Sequence, residues 1–469
     1  MSEETAELLI DGGKAGWVMK RPGRVSLKGK GEMVTYWLTN KAISRAGSEQ
    51  SFSSFDGDLL MTDQGKESRL IEWIVETLCK FLEKIVAQRK CKIGCPAVEG
   101  PVDSQQSRGK KASFLDEVQE IIALPEFDSD AARAMAVGDK SNSGLDAQVV
   151  RQLRSYVAKI ASLYRRNDFH NFEHASHVMM SVTKLMSRII APSDLELENA
   201  EEAAAATLHD HTFGITSDAL TQFACAFSAM IHDVDHVGVP NAQLIKERAP
   251  VAIKYRGRSV AEQNSLAISW DLLMSEEFEA FRKALIATED ESTRFRQLVV
   301  NMVMATDIVD KDLKALRNGR WDRAFSSTAP EEEGGNPRDA INRKATIVIE
   351  HLIQASDVSH TMQHWHVYRK WNERFFRECY QGFLDGRSPF DPSKGWYKGE
   401  LGFFDFYIIP LANKLKECGV FGKGSSEYLD YATRNRSEWE AKGQEAVAEM
   451  IRNMHHVNKR RASMGSTLS

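Results

Sequence analysis

Apolar residues recur at helical spacing through nearly all of the chain between residues 113 and 457, and this periodicity constrains the fold more than any other feature. Proline is scarce there, and the alternation typical of strands is nearly absent. A polar run over 326–337 interrupts the pattern and is predicted to be a mobile surface loop. The sequence therefore predicts a mainly α protein whose largest domain, over 113–457, is all-helical.

The remaining segments have different patterns. Residues 1–40 combine glycines with short runs of β-forming residues, which predicts a hairpin and edge strands in a β-containing fragment too short to bury a core alone. Residues 41–112 are predicted to be a linker with an amphipathic helix over 67–90. The apolar stripe of that helix needs a partner, either a neighbouring domain or a second copy of the chain in a homodimer. Residues 458–469 are predicted to form a disordered basic tail.

Charge and composition exclude several classes of protein. The 61 Lys and Arg residues against 66 Asp and Glu give a net charge of −5, which argues against a general nucleic-acid binder. Six scattered cysteines form no recognisable disulfide framework and fit a reducing compartment. No apolar run reaches the roughly 18 residues that would predict a membrane span within this chain. We therefore expect a cytoplasmic protein, or the cytosolic part of a membrane receptor if the chain is a fragment.

Histidine and aspartate residues form two clusters in the first half of the helical region. His170 and His174 stand four positions apart, and on a helix such residues share one face. His232 and Asp233 end an apolar helical run, and His236 follows one turn later. Adjacent His and Asp side chains at a helix end can reach a single metal ion, so this second cluster is a candidate source of metal ligands.

A third cluster contains Asp357 and His360 and ends another apolar helical stretch. An ionised aspartate on such a helix is costly unless it is paired. A divalent ion with two histidine and two aspartate ligands removes that cost and creates a reactive water near neutral pH. Each cluster alone is weak evidence, but the three together predict a metal centre.

The three clusters belong to a series of five motifs. In chain order they are His170-Asn171-x-x-His174, His232-Asp233-Val234-Asp235-His236-x-Gly238, Ala305-Thr306-Asp307, Ser356-Asp357-Val358-Ser359 and Gly402-Phe403-x-Asp405. The series resembles the catalytic domain of class I 3′,5′-cyclic nucleotide phosphodiesterases, in which the motifs have the same order. The resemblance covers about 145–455 and implies an all-helical, HD-type domain with two metal ions, usually zinc plus magnesium or manganese. It implies that His174, His232, Asp233 and Asp357 hold the tightly bound ion, with Asp233 bridging both ions.

The resemblance also implies roles around the two ions. His236, Glu262 and Thr306 would hold the waters of the second ion, since magnesium retains several waters. A hydroxide shared by the ions would attack phosphorus in line with the leaving O3′ of the ribose. His170 would act as the general acid that protonates O3′, a task suited to an imidazole near neutral pH.

Three residues match the implied base pocket. Phe403 would stack on the purine, and His360 replaces an asparagine that often lines this pocket in the family. Glu400 stands where the family normally has a glutamine. An ionised carboxylate only accepts hydrogen bonds, which suits the two donors of guanine, whereas a protonated Glu400 could serve adenine. The chain is therefore expected to favour cGMP slightly over cAMP.

Other interpretations of this region stay open. The fold could serve as a non-catalytic cyclic-nucleotide-binding regulatory module, if the altered pocket has ended turnover. It could also be another helical His–Asp metal hydrolase that acts on nucleotides or phosphomonoesters. The stretch between the first two clusters is longer than the family pattern and includes a predicted surface helix over 201–206. His209 and His211 lie in this stretch and are not expected to be ligands, because the implied ligand set is complete without them.

Both ends of the chain carry further resemblances. The pattern KGKG-x-x-x-TYW over 28–37 resembles the last strands of a class III nucleotide cyclase domain. It implies that residues 1–40 are the C-terminal fragment of such a domain in a cyclase–phosphodiesterase fusion, without the metal-binding aspartates. Near the other end, Arg460-Arg461-Ala462-Ser463 resembles a site for a basophilic kinase, with Ser463 as the acceptor. Chance similarity is the alternative in both cases.

Overall fold

The computed structural model describes residues 6–7, 10, 18–27, 31–38, 63–92, 113–129, 144–189, 200–325 and 336–465. The chain divides into one unit over 1–65 and a second over 66–469. In the first unit, strand β1 (Val18–Leu27) pairs antiparallel with β2 (Gly31–Leu38), and the register shifts between Lys20 and Arg24. The predicted strands are therefore present, and their cyclase resemblance stays a prediction.

Helices dominate the described part of the second unit. The first runs over Asp63–Lys92 (α1), and fifteen further α-helices, a π-helix and four 3₁₀ turns follow. The α-helices are α2 Ala147–Leu163, α3 Phe172–Ser187, α4 Ala200–His211, α5 Ala219–Ile231, α6 Asn241–Lys246, α7 Pro250–Lys254, α8 Val260–Leu273, α9 Glu279–Leu285, α10 Glu289–Ala305, α11 Lys311–Phe325, α12 Pro337–Asp357, α13 Trp365–Leu384, α14 Trp396–Phe403, α15 Ile409–Glu417 and α16 Gly422–Gly465. The π-helix is Phe404–Ile408, and the 3₁₀ turns are Phe114–Glu117, Glu276–Phe278, Ser359–Met362 and Pro392–Lys394.

Two buried helices form the centre of the second unit. The thirteen-residue α5 is apolar almost all round, and all but one of its residues are buried; the Asp218 side chain caps its start by accepting from the Thr221 N–H. Helix α12 begins with Asn336 as its cap and Pro337 in its first turn, both typical of helix starts. Its residues are buried from Ala345 to Ser356. Helix α3 packs against both, so three segments from distant parts of the sequence converge.

The amphipathic helix predicted over 67–90 is present as α1, and its apolar stripe packs against the helical core of its own unit. Ile74, Leu78 and Leu82 are fully buried there. At its other end, the Arg89 guanidinium bonds to Glu291, with Nε to Oε1 at 2.9 Å. The apolar face is therefore covered within this unit, which is one of the two outcomes expected from the sequence.

Several boundaries differ from the sequence-based expectations. Helix α16 extends to Gly465, so the predicted disordered tail is helical over 458–465, where Lys, Arg, Ala and Met favour a helix. The predicted surface helix over 201–206 is part of the longer α4. Most of the predicted loop over 326–337 lies outside the described residues. Among the described helices, none has both the length and the apolar character needed to cross a membrane.

Candidate metal centre

His174 is placed by the start of helix α3. The helix begins after Asn171, whose side-chain oxygen accepts a hydrogen bond from the His174 backbone N–H at 3.0 Å. His170 lies before this start, so the expectation that both histidines stand on one helix was wrong. The cap turns the chain so that their rings nevertheless lie near each other, with centroids 6.1 Å apart.

His232 and Asp233 follow directly after the last residue of α5. The Nδ1 atom of His232 lies 3.0 Å from the Ala229 carbonyl oxygen, which fixes Nδ1–H as a donor and leaves a lone pair on Nε2. The next turn contains Asp235 in a left-handed conformation (φ 62°), held by Arg165 and Asn264. This turn brings the chain back, so that His236 also faces the centre.

Four predicted ligand atoms converge where α3, α5 and α12 meet. Nε2 of His174 lies 3.0 Å from Oδ1 of Asp357 and 3.7 Å from Oδ2 of Asp233, and Nε2 of His232 lies 3.4 Å and 3.1 Å from the same atoms. Zinc bonds of about 2.1 Å in a tetrahedral arrangement would place ligand atoms roughly 3.4 Å apart. The four His–Asp distances are of this order, and the ligand atoms of His174, His232 and Asp233 all lie within 4.8 Å of one another, which fits a metal ion.

The electrostatics of these residues also fit a cation. The Nε2 atom of His232 is buried and has no hydrogen-bond partner among the described residues, although it faces two carboxylate oxygens. Burial opposes a charged imidazole, but Asp233 and Asp357 together raise the pKa of His232 well above its usual value. These side chains together stabilise positive charge. A divalent ion would bind the unpaired Nε2 atom of His232 and the carboxylates of Asp233 and Asp357.

A second group of acidic side chains lies beside Asp233. Burial, and next the charge of Asp307, raise the pKa of Glu262 to about 8, and Asp233 contributes in the same direction. The Asn241 amide donates to Glu262 at 2.9 Å. Negative charge is therefore concentrated beside Asp233. Thr306 follows the last residue of α10, directly before Asp307, and its hydroxyl donates to the Val303 carbonyl at 2.7 Å.

Glu378 completes the centre and was missed by the sequence analysis. It reaches in from α13, and one carboxylate oxygen accepts from the backbone N–H groups of Phe169 and His170 at 2.8 and 3.0 Å. The other oxygen hydrogen-bonds to Nδ1 of His170. The available signal was a glutamate inside the aromatic run Phe375-Phe376-x-Glu378, a position where an unpaired carboxylate is unfavourable.

The two neighbouring histidines, His170 and His236, differ in charge. Burial lowers the pKa of His170, but the charge and hydrogen bond of Glu378 outweigh burial and raise it to about 9. The His236 ring lies 3.9 Å away, and burial together with the charge of His170 lowers the pKa of His236 to about 4. One histidine is therefore a proton donor near neutral pH, and the other is a neutral acceptor.

The residues assigned to the base pocket lie on two elements. His360, in the 3₁₀ turn after Asp357, packs edge-on against Phe169, and Phe169 also packs against His174. Burial, and next the charge of His174, lower the pKa of His360 to about 3, so its ring is neutral.

The other two base-pocket residues lie on α14. Glu400 is buried there and accepts a hydrogen bond from the Tyr368 hydroxyl at 2.8 Å. The Phe403 ring stacks on Tyr407, with centroids 5.4 Å apart.

The inserted stretch between the first two clusters has contacts of its own. Nδ1 of His209 hydrogen-bonds to the Ser217 hydroxyl at 2.6 Å, and its ring packs against Phe127. These contacts give the His209 ring a hydrogen-bond partner and a packing surface, and the expectation that His209 is not a metal ligand stays a prediction.

Comparison with known proteins finds a match to a protein family. A family model described as 3′,5′-cyclic nucleotide phosphodiesterase matches residues 169–423. This range contains the three clusters, Glu378 and both base-pocket elements.

Individual relatives match a large part of the chain at moderate identity. A probable 3′,5′-cyclic-AMP phosphodiesterase, pde-4, of Caenorhabditis elegans is 27% identical over 61% of this chain and 39% of its own length. A mouse 3′,5′-cyclic-AMP phosphodiesterase 4C is 27% identical over 68% of this chain and 48% of its own. The mouse dual specificity calcium/calmodulin-dependent 3′,5′-cyclic nucleotide phosphodiesterase 1C is 29% identical over 57% and 34%. The chain thus spans less than half the length of these relatives.

The solved structures that are similar to this chain include the phosphodiesterase domain of a rhodopsin phosphodiesterase from Salpingoeca rosetta. It matches with a TM-score of 0.49 at 21% identity and covers 72% of this chain and 99% of that domain.

Proposed function

Because this chain belongs to the 3′,5′-cyclic nucleotide phosphodiesterase family, we propose that it hydrolyses 3′,5′-cyclic nucleotides to 5′-nucleoside monophosphates. The observation that carries the proposal is that the Nε2 atoms of His174 and His232 each lie 3.0–3.7 Å from carboxylate oxygens of Asp233 and Asp357, with a proton-donating histidine beside them. This set can bind a divalent cation and protonate a leaving group in the same site. Phosphodiester hydrolysis needs both functions.

We assign the four converging residues to the tightly bound ion, which we propose is Zn²⁺. Glu262, His236 and Thr306 would orient waters around a second ion, Mg²⁺ or Mn²⁺. When bound, such a pair of ions lowers the pKa of water and neutralises negative charge on the phosphate. Asp233 lies between the two groups of ligands and would bridge them.

His170 is proposed to be the general acid. Its Nδ1–H is held by Glu378, so the second ring nitrogen, Nε2, carries the proton that is transferred. As the P–O3′ bond breaks, O3′ takes this proton and leaves as a hydroxyl, and a water-derived oxygen completes the 5′-phosphate. Neutral His236 packs beside His170, with the two rings tilted by 37°, and adds no competing positive charge.

We propose that Phe403 stacks on the base, that neutral His360 borders the pocket and that Glu400 selects between purines. The ionised Glu400 carboxylate favours the two donors of guanine, and the protonated form can donate to adenine N1. Burial raises the pKa of Glu400 to about 7, and the hydrogen bond from Tyr368 acts against this rise. Both forms are therefore populated near neutrality. We expect hydrolysis of both nucleotides, with cGMP hydrolysed faster above pH 7 and the rate for cAMP rising relative to that for cGMP below it.

The test is hydrolysis of cGMP and cAMP by the wild type and by Asp357→Ala, with Mg²⁺ or Mn²⁺ supplied and bound metal counted by mass spectrometry. Asp385→Ala is the matched control, because Asp385 is an exposed aspartate at the end of α13. We expect turnover by the wild type and the control, and loss of turnover together with bound metal in Asp357→Ala. If folded, metal-loaded wild type binds a cyclic nucleotide without consuming it, the proposal is wrong and the protein is a binding module.

A further inference from the structure

The helix that carries Phe403 changes its geometry directly after this residue. Helix α14 ends at Phe403 and continues as a π-helix over Phe404–Ile408, before α15 begins. Short π-helical turns inside helices are rare and frequently occur at functional sites. Here the turn places the Tyr407 ring against the Phe403 ring, with centroids 5.4 Å apart and planes 13° from parallel. Phe403 thus has an aromatic support on one face.

The other end of Tyr407 lies inside the protein. Its hydroxyl oxygen is buried and has no hydrogen-bond partner among the described residues. Burial, and next the charge of Asp357, raise the pKa of this hydroxyl, and Arg317 acts in the opposite direction. The Arg317 guanidinium in turn donates to the Asp307 carbonyl at 3.1 Å. Tyr407 therefore stacks on the proposed base platform with its ring and is buried at its hydroxyl end.

We propose that Tyr407 is a positioning residue that sets the distance and tilt of the Phe403 ring relative to the metal centre. This inference rests on the proposed function, because it concerns where the base of the nucleotide lies once its phosphate is bound. The Tyr407 ring is stacked on Phe403 and its hydroxyl oxygen is buried, so it holds the stacking platform at a fixed place. A nucleotide whose phosphate is at the metal ligands can then stack its base on the face of Phe403 opposite Tyr407.

The sequence around Tyr407 provides a matched control. Phe406, one position earlier, is an aromatic residue of the same π-helix, and its side chain is 82% exposed. Tyr407→Leu removes the ring that supports Phe403, Tyr407→Phe keeps the ring without the hydroxyl, and Phe406→Leu removes an aromatic ring that faces solvent. Thermal unfolding of all three variants checks that they are folded.

The experiment measures KM and kcat for cGMP, for cAMP and for methyl ribofuranoside 3′,5′-cyclic phosphate, which has the same cyclic phosphate but no base. Since an aromatic pair contributes modestly beyond its buried area, we expect Tyr407→Leu to raise KM about fivefold for both nucleotides, with kcat changed by less than about twofold. KM for the base-free substrate should stay unchanged. Tyr407→Phe should restore the KM for nucleotides, and Phe406→Leu should behave like the wild type.

Two results would overturn the inference. One is an equal effect of Tyr407→Leu on the base-free substrate and the nucleotides, which would assign the residue to the metal centre or to general stability. The other is an unchanged KM for nucleotides in Tyr407→Leu. The dissociation constant of a phosphorothioate cyclic nucleotide, measured by calorimetry, gives the same comparison without turnover. An inactive wild type would then refute the proposed function, while the shift in this constant still decides the role of Tyr407.

Discussion

Replacement of Glu378 by glutamine is the sharpest test of how the proposed general acid works. The substitution keeps an oxygen that can accept from the backbone N–H groups of Phe169 and His170, so the local turn should persist. It removes the negative charge that outweighs burial and holds the pKa of His170 at about 9. Bound cations would offset the carboxylates of Asp233 and Asp357, which leaves Glu378 as the main group that stabilises the imidazolium.

The size of the effect follows from the protonated fraction of His170. At pH 7.5, a pKa of about 9 leaves roughly 97% of the side chain protonated, whereas the ordinary value of about 6.5 leaves roughly 9%. Burial alone would lower that fraction further, because it disfavours the charged form. We therefore expect Glu378→Gln to lower kcat/KM about tenfold or more at pH 7.5, and only about 1.3-fold at pH 6, where a pKa of about 6.5 still leaves most of His170 protonated.

The assay is kcat/KM for a cyclic nucleotide between pH 6 and 9, at saturating metal, with Glu373→Gln as the control. Glu373 stands on the same helix and pairs with Arg377, away from His170. We expect the loss of kcat/KM in Glu378→Gln, relative to the wild type, to grow with pH, and we expect no such loss in the control. A deficit of the same factor at every pH would refute the reasoning and would show that Glu378 only supports the backbone.

Three further predictions concern the bound metal, the base pocket and a buried ion pair. Removal of metal by a chelator should lower the melting temperature, and added Zn²⁺ should restore it. An ion whose free concentration is 100 times its dissociation constant stabilises the fold by about 2.7 kcal/mol. An unchanged melting temperature would contradict the metal assignment. Glu400→Gln should remove the change in the cGMP to cAMP rate ratio between pH 6 and 8, and a ratio that still varies with pH would show that another group selects the base. Arg320 is fully buried and bonds to buried Glu350, so Arg320→Met should lower the free energy of unfolding by about 3–5 kcal/mol in urea titrations; half-exposed Arg323→Met is the control, and equal losses would refute the burial argument.

The helical fold and the four candidate metal ligands could be predicted from the amino-acid sequence alone. Helical periodicity is a local property, so it predicted a mainly α domain without knowledge of any contact. The Asp233 and Asp357 carboxylates were recognisable because each follows an apolar helical run, where an ionised group requires a partner. Local spacing was less reliable at a helix boundary: His170 and His174 are four apart, yet the Asn171 cap places a helix start between them.

The residues that complete the site from distant parts of the chain could be identified only from the packing of the helices. Glu378 lies 208 positions from His170, and Tyr368 lies 32 positions from the Glu400 carboxylate that it contacts. The support of Phe403 by Tyr407 depends on a π-helical turn that apolar periodicity does not reveal. Periodicity shows that a helix buries one face, but not which other helix covers that face. Pairings between helices depend on how all their side chains pack together, and this packing sets the charge of His170 and the surroundings of the pocket.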